Sequence, residues 1–166
     1  MKKTILIITL FAALNAFAEP NIESERVGSC QVTSSSKDFT QKGDTVFITV
    51  YKIDNNYYGP MLLLNFFDKA GNEISTKGLN IRTNINLISG KVQDSNNLLK
   101  IKNRYRWFKA DFQYNKENKK ASFQHQQSST CEWGHCSSYV DAWDLSLENC
   151  EINTDFLKDV HFESNN

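Results

Sequence analysis

Apolar residues in this chain recur at every second position, and that period constrains the fold more than any other feature. Over 79–87, Leu79, Ile81, Ile85 and Leu87 alternate with polar residues, the pattern of a strand with one wet face. The run 45–53, TVFITVYKI, is β-branched and aromatic, and its apolar density suits a strand covered on both faces. Met61 to Phe67 forms a further strand-length run, bounded by Gly59-Pro60 and by Asp68-Lys69-Ala70-Gly71-Asn72. Those punctuation marks leave too little length for a helix, and Gly71 supplies the positive φ a turn needs.

The pattern continues toward the C-terminus. Leu98 to Lys102 predicts a shorter strand. Tyr105 to Tyr114 holds two parities, which a bulge near Trp107-Phe108 would reconcile. The polar turn Asn115 to Lys120 then predicts a hairpin with Ala121 to Ser128, and Tyr139 to Leu147 supplies a last strand. Trp107 and Trp143 fall in strands and are expected in the core. In the tail, Thr154 could cap a short helix carrying Phe156, Leu157 and Val160. About eight short strands spaced near ten residues apart predict an all-β fold, a single antiparallel β-sandwich, with a small β-barrel as the alternative. The run Met61 to Asn72 resembles the strand-and-turn edges of immunoglobulin-like sandwiches, and that resemblance covers about a dozen residues.

The N-terminus has the three parts of a secretory signal peptide: Lys2-Lys3, the apolar run Ile5 to Leu14, and Ala16-Phe17-Ala18. The expected organisation is a leader at 1–18 and one disulfide-stapled domain at 19–166. Cleavage after Ala18 would release the domain into the periplasm, with onward secretion as the extension. No later run is long and apolar enough to span a bilayer. Without its leader the chain has about 148 residues, enough for one core and short of two.

Four cysteines, Cys30, Cys131, Cys136 and Cys150, would then meet an oxidising compartment and pair. Of three pairings, the reading favours Cys131–Cys136 with Cys30–Cys150. The first closes a tight loop through Trp133 and Gly134, and the second ties the start of the domain to its last strand. Redox catalysis is disfavoured, because thioredoxin-type chemistry needs two residues between its cysteines and four intervene in Cys131-Glu132-Trp133-Gly134-His135-Cys136. A zinc site from Cys131, Cys136, His135 and His125 has suitable ligand types. Exported thiols oxidise first, so no metal and no cofactor is expected.

The chain carries 19 basic and 19 acidic side chains, and two of the lysines leave with the leader. A mature charge of about −2 argues against nucleic acid or an anionic membrane as the main partner. Lys116, Lys119 and Lys120 read as one solvated turn. No catalytic motif is present: His125, His135 and His161 lie outside any H-E-x-x-H pattern, and no G-x-S-x-G elbow occurs. His125 reads as a surface or half-buried side chain. Asp144 and Glu148 share a strand face about 13 Å apart, too far for a glycosidase pair, and read as the solvent face of an edge strand.

The expected chemistry is therefore binding, not catalysis. Trp133, flanked by Glu132 and His135 in a loop stiffened by Cys131–Cys136, would lose little entropy on docking. Tyr57 and Tyr58 form a second aromatic turn. The first functional reading is an exported inhibitor or immunity protein that neutralises a toxin or hydrolase. The alternatives are a carbohydrate- or envelope-binding module stacking Trp133, Tyr57 and Tyr58 on sugars, and a structural or adhesive envelope component.

Overall fold

A computed structural model describes residues 22–53, 60–76, 83–87, 90–105, 108–132 and 135–158. The described residues form one antiparallel sheet of ten strands. In chain order these are β1 (Ile22–Ser35), β2 (Thr45–Ile53), β3 (Met61–Phe67), β4 (Glu73–Ile74), β5 (Asn84–Asn86), β6 (Lys91–Asp94), β7 (Leu98–Tyr105), β8 (Phe108–Asn115), β9 (Lys120–Glu132) and β10 (His135–Ile152). A 3-10 turn over Asp155–Lys158 follows. It stands where the tail predicts a short helix, and it buries Phe156 and Leu157. The side chain that caps it is Asn153, whose Oδ1 accepts the Asp155 N–H at 2.9 Å.

The spatial order is β4-β3-β2-β1-β10-β9-β8-β7-β6, with β5 also on β3. Two meanders, β1 to β4 and β6 to β10, are therefore joined where the first strand pairs with the last. The sheet is strongly rolled. Phe66 on β3 and Trp143 on β10 lie three strands apart in that order, about 14 Å on a flat sheet, yet their rings are 5.8 Å apart. β5 also contacts β7, although about 34 Å would separate them on a flat sheet. The fold is thus all-β and antiparallel, with the sandwich- or barrel-like closure the spacing predicts, built from one continuous sheet.

Alternation sets which face is inside. β3 buries Leu62, Leu64 and Phe66 and leaves its odd positions half-covered. β2 does the same with Val46, Ile48 and Val50, while its outer face is partly covered where Arg26 stacks 3.7 Å from the Phe47 ring centre. β8 and β9 interleave Ala110, Phe112 and Tyr114 with Ala121 and Phe123. The turn after β3 forms as expected. Asp68 Oδ1 accepts the N–H groups of Ala70 and Asn72, both at 2.8 Å, and Gly71 adopts φ 86°. The hydrogen bond from the Asn72 side chain, then its backbone N–H, holds the Asp68 carboxyl below the usual carboxylate range.

Two features depart from the sequence reading. Tyr105 to Tyr114 is two strands, with Tyr105 paired to Phe108, so the parity change marks a hairpin connection at 106–107. Those two residues, Trp107 included, lie outside the described residues. The second departure is β1, a central strand that alternation does not announce. Its parity switches between Arg26 and Gly28, where the ladder to β2 shifts register, so Val27 and Cys30 both reach the core.

Gly28 marks a close approach of β1 to the end of β10. A Cβ there would lie 2.6 Å from the Glu151 carbonyl oxygen and 2.9 Å from Ile152 Cα, both backbone atoms. Gly28→Ala is expected to lower stability by about 1–3 kcal/mol through overpacking. Denaturant unfolding would show it as a reduced midpoint at unchanged slope.

Candidate functional site

The β9–β10 hairpin is longer than its neighbours. β8 accompanies β9 only as far as the Phe108–Gln127 pair. On the other side, β1 accompanies β10 to the Ser35–Leu145 pair, with one more bond from Ser36 N–H to the Asp144 carbonyl. Beyond those points the backbone of 128–132 and 135–141 pairs only with itself among the described residues. A two-stranded ribbon of about 16 Å therefore extends past the sheet, at the standard rise per residue. Three register shifts, between Cys136 and Ser138, Ser138 and Tyr139, and Tyr139 and Asp141, interrupt its ladder. Such bulges bend and twist a ribbon.

The register places most of the loop predicted for binding at the ribbon tip. Glu132 ends β9 and pairs with His135, which begins β10; Cys131 pairs with Cys136 one step below. Directly opposed residues of an antiparallel pair have Cα atoms about 4.5–5.5 Å apart, inside the span a disulfide bridges. Trp133 and Gly134, and the side chains of Cys131, Glu132, His135 and Cys136, lie outside the described residues. Tyr57 and Tyr58 also lie outside them. The strand end before that segment, Ile53, pairs with Ile22 at the start of β1, whereas the ribbon departs past Ser35 at its end. About 40 Å of extended strand separates the two. The flanks of the two aromatic turns are thus at opposite ends of β1.

An aromatic cluster clamps the ribbon base. Trp143, 1% exposed, has ring centres of Phe123, Phe39 and Phe66 at 5.1, 5.2 and 5.8 Å. Its indole N–H donates to Ser35 Oγ at 3.3 Å. Beside it runs a row of facing residues, Trp143, His125, Ala110 and Asn103, one from each of β10, β9, β8 and β7. His125 is 2% exposed and its ring lies 6.1 Å from that of Phe108. The surface or half-buried placement read from its sequence context is corrected: it shares the parity of Phe123, and that face is the core. Six residues of strand, about 20 Å, separate it from Cys131, so it cannot join Cys131, Cys136 and His135 around one metal ion. Among the described residues no cluster of three His, Cys, Asp or Glu side chains is arranged to hold a metal.

Asp144 and Glu148 sit on the outer face of β10, as expected, but that strand is central, with β1 and β9 on its two sides. Cys30 and Cys150 form the predicted disulfide, which joins β1 to β10. A shallow cleft of about 290 Å³ opens where β3 passes from β5 to β4, lined by Leu63, Asn65, Phe66, Glu73, Ile74 and Thr83. It gathers one carboxylate and no nucleophile–base pair. No helix among the described residues is long and apolar enough to cross a membrane. No protein-family model matches this chain, and no curated protein or solved structure matches it.

Proposed function

We propose that the mature chain is an exported, periplasmic protein-binding domain of inhibitor or immunity type, which neutralises a toxin or hydrolase through the tip of the β9–β10 ribbon. The observation that carries this reading is the ribbon itself. It reaches beyond the sheet, is anchored on the buried Trp143 cluster, and puts Glu132 and His135 at the two ends of the Trp133 loop. An isolated two-stranded hairpin is marginal in water. A Cys131–Cys136 link across the tip, together with the packed base, would keep it in one conformation and reduce the entropy lost on docking.

The test is quantitative. Oxidised wild-type protein and a Trp133→Ala variant of unchanged thermal midpoint are compared for capture from envelope and competitor-culture extracts. The captured hydrolase or toxin is then assayed for inhibition at equimolar addition. A hot-spot tryptophan should weaken binding about thirty-fold or more when truncated. Equal capture by both forms, or a captured enzyme that stays fully active, refutes the reading.

The ribbon also supports a second reading, a structural or adhesive envelope component. Its long edges are unpaired among the described residues, and exposed edges accept added strands. That role requires concentration-dependent oligomers in sedimentation, which an inhibitor does not. The sugar-binding reading asks Trp133, Tyr57 and Tyr58 to form one platform, and the separation of their flanking strands does not favour it.

A further inference from the structure

The near-neutral charge conceals a polarised surface. On the outer face of β6, β7 and β8 the register gathers Lys91, Lys100, Lys102, Arg104 and Lys109, with Asp111 the one acid among them. Lys91 stands directly opposite Lys102, and Arg104 directly opposite Lys109. Like charges at opposed positions disfavour pairing, and Lys102 also has an acid directly opposite, Asp111, on its other side. Asp111 lies 3.6 Å from the Arg104 guanidinium, and the Arg104 side chain stays 55% exposed. Lys91, Lys100, Lys102 and Arg104 exceed that one carboxylate by three charges. Around them Gln93, Gln113, Ser122, Gln124 and Gln126 are neutral, and Lys120 at the start of β9 adds a further outward cation. Acidic side chains lie elsewhere, with Asp144, Glu148 and Glu151 along the outer side of β10.

We infer that this face docks the protein on an anionic phospholipid bilayer. The patch measures about 13 Å along the strands and about 10 Å across them, so it is two-dimensional and suits a plane better than a threaded chain. Clusters of four to eight basic side chains bind anionic lipid headgroups by charge alone. Protein interfaces, by contrast, concentrate aromatic residues and exclude lysine from their centres. Single-stranded nucleic acid needs stacking aromatics, and the described residues of this face hold none. Leu98, 37% exposed, is its one large apolar side chain.

The experiment is sedimentation with vesicles of phosphatidylcholine alone or containing about one-third phosphatidylglycerol, near 0.05 M and near 0.5 M salt. Wild type should bind the anionic vesicles at low salt and lose them at high salt. The variant Lys91→Gln/Lys100→Gln/Lys102→Gln should partition about a hundredfold more weakly while its thermal midpoint holds. Should the triple variant not fold, Lys102→Gln alone should weaken partition about fivefold. Asp144→Asn/Glu148→Gln, on the other side of the sheet's charge pattern, should bind as wild type does. Equal partition onto neutral and anionic vesicles overturns the inference, as does undiminished binding by the lysine variants. Retention on heparin resin without vesicle binding overturns it as well, and assigns the face to a soluble polyanion.

Discussion

Replacing Cys30 and Cys150 together by alanine is expected to lower the stability of the oxidised domain by about 5 kcal/mol. The bond spans 120 residues, and in the chain-entropy description a loop of that size confers about that much on the folded state. Its position adds a second reason. It crosses β1–β10, the pair that joins the two meanders, where β10 carries an extra residue: Cys30 lies opposite both Asn149, at φ 51°, and Cys150. Neighbouring bonds grip the same bulge, from Cys150 N–H to the Lys119 carbonyl at 2.9 Å and from Tyr114 Oη–H to the Cys150 carbonyl at 3.4 Å. Guanidinium unfolding of the double variant should show the loss. A change below about 1 kcal/mol would mean that the β1–β10 ladder closes the fold unaided.

Truncating Trp143 should cost almost as much. Trp143→Ala removes a fully buried indole from among Phe39, Phe66 and Phe123, and such changes cost about 3–5 kcal/mol. Trp143→Phe should cost clearly less, since it keeps most of the packing and gives up the bond to Ser35 Oγ. Ser35 Oγ retains other partners, as it donates to the Lys37 carbonyl at 2.7 Å and accepts its N–H at 3.1 Å. Denaturation of both variants separates the two contributions. Because Trp143 stands at the ribbon base, Trp143→Ala should also speed hydrogen exchange in 135–142 relative to Trp143→Phe. Equal costs for the two variants would place the stabilisation in the hydrogen bond instead of the ring packing.

Much of the frame is legible in particular residues. Met61 to Phe67 buries every second side chain without exception, and the turn signals on both sides of that run already mark it as a strand. Gly71 and Trp143 take the places their contexts predict. Other parts are hidden for physical reasons. β1 is rich in Ser and Glu, and its bulge breaks the one period that would reveal it. The connection between β7 and β8 contains no Gly, Asn, Asp or Pro, and two parities in one stretch look the same whether a bulge or a hairpin separates them. The far half of β9 and the start of β10 are mostly Gln, Ser, Thr, Cys, Glu and His, so the ribbon has no apolar alternation to show its length.

Local order is what the sequence by itself determined: strand-forming runs, their buried faces, and the turn at Asp68 to Asn72. These depend on neighbours in the chain, where side-chain parity and backbone preference act directly. Tertiary structure alone decided which strands lie side by side. That choice seats β1 against β10, leaves the ribbon unaccompanied among the described residues, and buries His125. It also brings Lys91, Lys102, Arg104 and Lys109 onto one face, although a charge count over the chain is balanced. Pairing between distant strands is set by the closure of a shared core, and no local window of sequence contains it.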